Sequence, residues 1–166
     1  CVPPYLPLAS RHDILAYQTP PLESDMEVTG PIRVILWASS SCVDTDFTAK
    51  LIDVHPPNED YPLGFSLNLT DSIIRARYRD SWEQAKLMVP GEIYKFEIEL
   101  YPTSNLFAKG HRIRLDISSS NFPRFDVNPN TGEPLGLSRM MQVAENRIYH
   151  DGSHPSHIIL PIIPQG

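Results

Sequence analysis

The sequence has little cysteine, little positive charge and no long apolar run. Its two cysteines in 166 residues, Cys1 and Cys42, cannot build a disulfide framework, so the redox compartment stays open. The net charge is −6. Phosphate contacts need a basic face, so nucleic acid is not expected as a partner. No apolar stretch approaches the roughly 18 residues of a membrane span, so no membrane partner is expected. No segment reads as a secretory signal. Glycine-rich phosphate loops and paired-cysteine zinc spacings are missing too, and neither a cofactor nor a metal is expected. A hydrolase nucleophile elbow needs Gly-x-Ser-x-Gly. Gly64-Phe65-Ser66 begins that pattern, but Asn68 stands where the second glycine belongs, so no catalytic residue is assigned.

Proline is abundant instead, at 17 residues, roughly twice ordinary usage. Each one removes a helical donor and crowds the preceding turn, which argues against long helices. Residues 1–10, with three prolines and no periodicity, read as a linker, and residues 11–166 read as one domain. A chain that begins at Cys1 rather than Met reads as a processed or excised piece of something longer. Short apolar or alternating runs then follow, separated by turn signals. Strands are predicted at Ile14–Gln18, Met26–Thr29, Ile32–Ser39, Asp46–Val54, Phe65–Leu69, Ile73–Arg79, Ile93–Tyr101, Arg112–Ser119, Met141–His150 and His157–Ile162. Only Asp80–Met88 has the look of a short helix, capped by Ser81. The expectation is an all-β sandwich or barrel.

Alternation assigns the faces. Tyr94, Phe96, Ile98 and Leu100 point one way, and Lys95, Glu97 and Glu99 the other. Ile113, Leu115 and Ile117 oppose Arg112, Arg114 and Asp116, while Ile74, Ala76 and Tyr78 oppose a basic stripe of Arg75, Arg77 and Arg79. Such strands have one core face and one wet face. The stripe is expected to be solvated and paired with acidic neighbours on adjacent strands. Ile32–Ser39 is apolar on both faces, so it is either central and covered or lies under a partner domain.

Three other clusters have ordinary structural readings. His150, His154 and His157 fall in a segment broken by Asp151-Gly152 and Pro155, a polar hairpin loop rather than a helical metal face. Asp44-Thr45-Asp46 lacks the glycine-containing loop of a calcium site and reads as the turn into a strand. Asn68-Leu69-Thr70 fits a glycosylation acceptor that chance also supplies. Ser118–Gly136 is different, being a long loop that leaves the predicted strand Arg112–Ser119 and carries two phenylalanines. Loops of this kind tend to be functional or interfacial. Phe122 and Phe125, flanking Pro123 and Arg124, are the residue types of interface anchors.

At this loop the chain resembles a known family. Gly110–Gly132 is similar to the signature of the C-terminal domain shared by X-Pro dipeptidyl-peptidases and cocaine-esterase-like hydrolases. Pro21–Pro31, Asp44–Val54, Ile73–Ser81, Pro90–Leu100 and Tyr149–Pro164 follow its pattern in the same order. Ser72 departs from a common glycine, and the proline-rich His55–Ser66 is unlike a simple turn. The resemblance implies a jelly-roll β-sandwich, galactose-binding-domain-like. It also implies a non-catalytic role, with this domain packed against a preceding α/β-hydrolase domain that holds the Ser, Asp and His.

The leading expectation is thus an accessory domain of a serine hydrolase acting on esters, amides or X-Pro peptides. Its partner is the catalytic domain of the same parent chain. Contact candidates are Trp37, Asn121, Phe122, Pro123, Arg124 and Phe125. The alternatives are a free-standing carbohydrate-binding module, whose exposed aromatics stack on a sugar ring, and an independent enzyme. Homo-oligomerisation is left open, and a cytoplasmic location is the default.

Overall fold

The computed structural model describes residues 10–164. The predicted linker at 1–10, apart from Ser10, lies outside the described residues, as does Cys1. Among the described residues, nine strands run in chain order: β1 Ile14–Gln18, β2 Met26–Ser40, β3 Asp46–His55, β4 Phe65–Arg75, β5 Tyr94–Phe107, β6 Arg112–Ser118, β7 Asn146–Tyr149, β8 His157–Ile159 and β9 Ile162–Ile163. They form two antiparallel sheets. One has the order β1-β6-β3-β4. In the other, β2 lies between β5 on one side and the short strands β7, β8 and β9 on the other. No helix among the described residues is long and apolar enough to cross a membrane.

The alternating residues of facing strands fill the space between the sheets. Phe47, Ala49 and Leu51 of β3 and Ile113 and Ile117 of β6 meet Val34 and Leu36 of β2 and Phe96, Ile98 and Leu100 of β5. The Phe47 and Phe96 rings pack at a centroid distance of 4.8 Å. The reading of β5 as a half-buried strand therefore holds. In β6 the face expected to be wet is covered instead, and Arg114 and Asp116 are buried with two hydrogen bonds of 2.7 and 2.6 Å between them. β2, apolar on both faces, is central in its sheet.

Several boundaries differ from expectation. The predicted break at Thr29-Gly30-Pro31 is a bulge inside one 15-residue strand. Pro31 has no N–H to donate, the register slips between Gly30 and Ile32, and Gly30 adopts φ 134°. Phe65–Leu69 and Ile73–Arg75 likewise join into β4, whose pairing with β3 slips at Leu51/Ile52. Past Arg75 the predicted strand turns into a 3-10 turn, Ala76–Tyr78, because the Ala76 N–H bonds Thr45 and the Arg77 N–H bonds Asp44. Asp80–Met88 forms no helix. The Ser81 hydroxyl does accept from the N–H groups of Glu83 and Gln84, as a cap would. The following groups bond elsewhere, Lys86 N to Arg77 O and Met88 N to Val43 O, and Met88 drops into the core. Of Met141–His150, only Asn146–Tyr149 is strand.

Candidate functional site

The basic stripe is not a solvated face. Arg75 reaches Asp46 through two hydrogen bonds of 2.9 Å, and these hold its guanidinium pKa above the ordinary value. Arg77 turns inward. Its backbone N–H and Nε donate to the fully buried Asp44 at 2.9 and 2.7 Å. Arg79 lies 4.3 Å from the centre of the Tyr94 ring. Alternation failed because the chain leaves the strand at Arg75, which sends Arg77 toward the interior.

These pairs anchor the long segment between β6 and β7, which consists of turns and irregular chain. The buried Asn128 amide donates to Asp44 at 3.0 Å and to Asp46 at 2.8 Å, while its oxygen accepts the Asn130 N–H. Arg77 Nη1 donates to Glu133 O, and Arg75 Nη2 to Asp126 O. Asn130 Nδ2 donates to Gln142 O, while the Gln142 N–H returns to Pro129 O. Gly132 has φ +75°, and a Cβ there would stand 2.7 Å from Val43 Cγ2.

The predicted contact residues divide into two groups. Asn121, Phe122, Pro123, Arg124 and Phe125 form a tight turn closed by Arg124 N–H and Phe125 N–H on Asn121 O. The Phe122-Pro123 peptide is cis. Arg124 Nη1 pairs with the buried Asp71 Oδ1 of β4 at 2.7 Å, and Asn121 Nδ2 donates to Asp71 Oδ2 at 3.3 Å. The Arg124 guanidinium also leans over the Tyr101 and Phe125 rings. Phe122 is left 70% exposed. Trp37 lies elsewhere. It is half-buried on β2, edge-on to His154 at 5.3 Å, and its backbone N–H donates to Ser156 Oγ.

Leu135, Leu137, Met140, Met141 and Val143 are further exposed apolar residues on this segment, Val143 being 96% exposed. The loop expected from the sequence ends at Gly136, and Met141 and Val143 fall in the strand predicted at Met141–His150, which forms only from Asn146. The signal was present in the recurrence of Leu135, Leu137, Met140, Met141 and Val143 over nine residues. Phe122 also lines a hollow of about 660 Å³ whose other walls include Leu15 of β1, Phe47 of β3, Ile117 of β6 and Asn146 of β7.

The three C-terminal histidines face different partners. His150 Nε2 meets Tyr17 OH, whose pKa burial raises; His154 Nδ1 meets Asp151; and His157 Nδ1 meets Pro155 O. One cluster escaped sequence reasoning altogether. Asp53 and His55 on β3 and His111 just before β6 bring one ligand atom each within 4.8 Å of one another. Burial pushes the His55 imidazole below its ordinary pKa, Asp53 opposes this and His111 adds to it. The separate alternations Asp53-Val54-His55 and His111-Arg112-Ile113 were legible, but the pairing of β3 with β6 was not.

Among the described residues, two β-sheets carry a long loop pinned by buried polar pairs and tipped with exposed apolar side chains. Residues 5–159 match the X-Pro dipeptidyl-peptidase C-terminal non-catalytic domain. The chain belongs to this family. It is 46% identical over 159 residues to the cocaine esterase of Rhodococcus sp. (strain MB1 Bresler), covering 95% of this chain and 27% of that protein. Among solved structures it resembles an aminopeptidase from a marine sediment Thaumarchaeota archaeon (TM-score 0.88, 34% identity, 94% of this chain and 27% of that one). It resembles an alpha-amino acid ester hydrolase as closely (TM-score 0.87, 34% identity, 92% of this chain and 26% of that one). The chain thus spans about a quarter of the length of these relatives, in which this non-catalytic domain is part of a longer hydrolase chain.

Proposed function

We propose that the exposed apolar side of the segment between β6 and β7 packs against an α/β-hydrolase domain of the same parent polypeptide, and that the parent cleaves acyl bonds, most directly those of esters. The observation that carries this is Phe122 and Val143 standing exposed on a loop whose backbone is held by buried polar pairs. A large apolar surface held rigidly in place is what a permanent interface requires. The missing domain would supply the serine nucleophile and its base. The ester preference rests on the 46% identity to a cocaine esterase. We further read residues 11–166 as one unit of jelly-roll, galactose-binding-like winding. Successive strands crossing between the sheets from β1 to β2, β2 to β3, β4 to β5, β5 to β6 and β6 to β7 support this.

The decisive experiment identifies the native polypeptide. An antibody raised against this chain retrieves it from its source, and a fluorophosphonate then labels active serines. A labelled band several times larger than 18.8 kDa is expected. An unlabelled band near that mass would overturn the proposal.

One observation favours a second, sugar-binding role. Exposed Trp82 and Tyr101 border one groove together with Glu97 and Glu99, combining rings for stacking with carboxylates for hydroxyl groups. Titration with a panel of monosaccharides while following tryptophan fluorescence tests it. Saturable quenching that Trp82→Ala abolishes supports this role, and a flat response to every sugar removes it.

A further inference from the structure

The geometry points to a binding site for a zinc-class divalent cation at one end of the sandwich, formed by Asp53, His55 and His111. The strand register builds it. Asp53 follows Leu51 on the inner face of β3, opposite the core residue Ile113, and His55 is two residues further along the same face. Because Val54 pairs with Arg112, His111 falls opposite His55 across the two strands. Asp53 and His55 on one strand and the sequence-distant His111 therefore converge where the core opens toward solvent.

The distances suit an ion. His111 Nδ1 lies 2.9 Å from Asp53 Oδ1, and His55 Nε2 lies 3.4 Å from Asp53 Oδ2. Donors about 2.1 Å from a tetrahedral Zn²⁺ stand about 3.4 Å apart, so small side-chain rotations seat all three on one ion. Imidazole nitrogens with one carboxylate favour zinc, nickel or cobalt over calcium or magnesium, which take oxygen-rich sets. A shared proton accounts for the arrangement less well. The His111–Asp53 contact is a hydrogen bond, whereas the buried His55 Nε2 has no hydrogen-bond partner. Buried polar atoms without partners are uncommon, and an absent ion is one recognised cause.

The surroundings hold the ligands in place. The His55 ring stacks on Phe65 at 4.0 Å and 16°, and Tyr61 packs on Phe65 in turn. Asn105 Nδ2 on β5 approaches Asp53 Oδ2 at 3.5 Å, which ties the carboxylate to the opposite sheet. The side chains of His55 and His111 remain 24% and 15% exposed, leaving a path for the ion and a coordination position for water. A bound ion would fasten the end of β3 to the start of β6.

The test uses this chain, stripped of metal with a chelator and titrated with ZnCl₂ in a calorimeter. Histidine ring ¹⁵N resonances are followed by NMR in parallel. We expect saturation at one ion per chain, joint shifts of the His55 and His111 ring nitrogens, and affinity at least about tenfold lower in His111→Ala. Absence of saturable binding overturns the proposal. So do shifts confined to His150, His154 and His157, or undiminished affinity in His111→Ala. The NMR readout needs no variant, so a misfolded His111→Ala protein leaves the proposal testable.

Discussion

Asp44 and Arg77 illustrate how burial changes the value of an ion pair. Both are buried, and their contact is bidentate when the backbone N–H is included. Removing one partner of such a pair strands the other charge in a low-dielectric interior, at about 3–5 kcal/mol. Asp44→Ala should therefore lower the unfolding free energy by about that amount in urea titrations. Arg33 pairs with Glu97 on the surface at 3.1 Å, and Arg33→Ala should cost less than about 1 kcal/mol in the same measurement. Equal losses from the two substitutions would contradict this account. The sequence marks Arg75, Arg77 and Arg79 as one stripe, but their roles diverge because the backbone leaves the strand at Arg75. A single hydrogen-bonding decision at Ala76, toward Thr45 rather than along β4, redirects the side chains that follow.

At the scale of elements, the segment between β6 and β7 lacks strand or helix yet has a determined path. Its order comes from side chains that substitute for a ladder, namely Asn128 on two aspartates, Arg77 on Glu133 and Arg124 on Asp71. Gly132 fits where a Cβ would collide with Val43, at a positive φ that other residues adopt at a cost. Gly132→Ala should destabilise the chain by about 1–3 kcal/mol. It should also speed proteolytic cleavage within this segment, and unchanged cleavage rates would show that the path does not depend on this glycine. In the sheets, Phe96→Ala should cost about 3–5 kcal/mol, because its ring is fully buried against Phe47. Thermal unfolding followed by circular dichroism checks both substitutions.

At the scale of the whole molecule, the proposed contact with a catalytic domain makes its own prediction. Arg124 is a poor probe, since reversing its charge would set two carboxylates together at the buried Asp71. Phe122 and Val143 are cleaner because both are largely exposed. Phe122→Ala combined with Val143→Asp should leave the melting temperature of this chain within about 2 °C of its original value. In the parent hydrolase the same pair should lower the melting temperature and the rate of ester hydrolysis together. A parent indifferent to both changes would place the docking face elsewhere on the sandwich, and the Trp37 side of β2 would be the next surface to probe.

The sequence by itself determined the all-β class, the core faces of β5 and β6 and the family, while β2 could be read as central or as lying under a partner domain until the sheet order decided it. Period-two alternation and turn residues are local, and a family pattern is read in order along the chain. Only the tertiary structure decided that Thr29-Gly30-Pro31 is a bulge, that Arg77 is buried and that Asp53, His55 and His111 meet. Each of these depends on which strand lies beside which. Pairing between residues about 60 positions apart is set by how both sheets close over a shared core, and no local pattern encodes it.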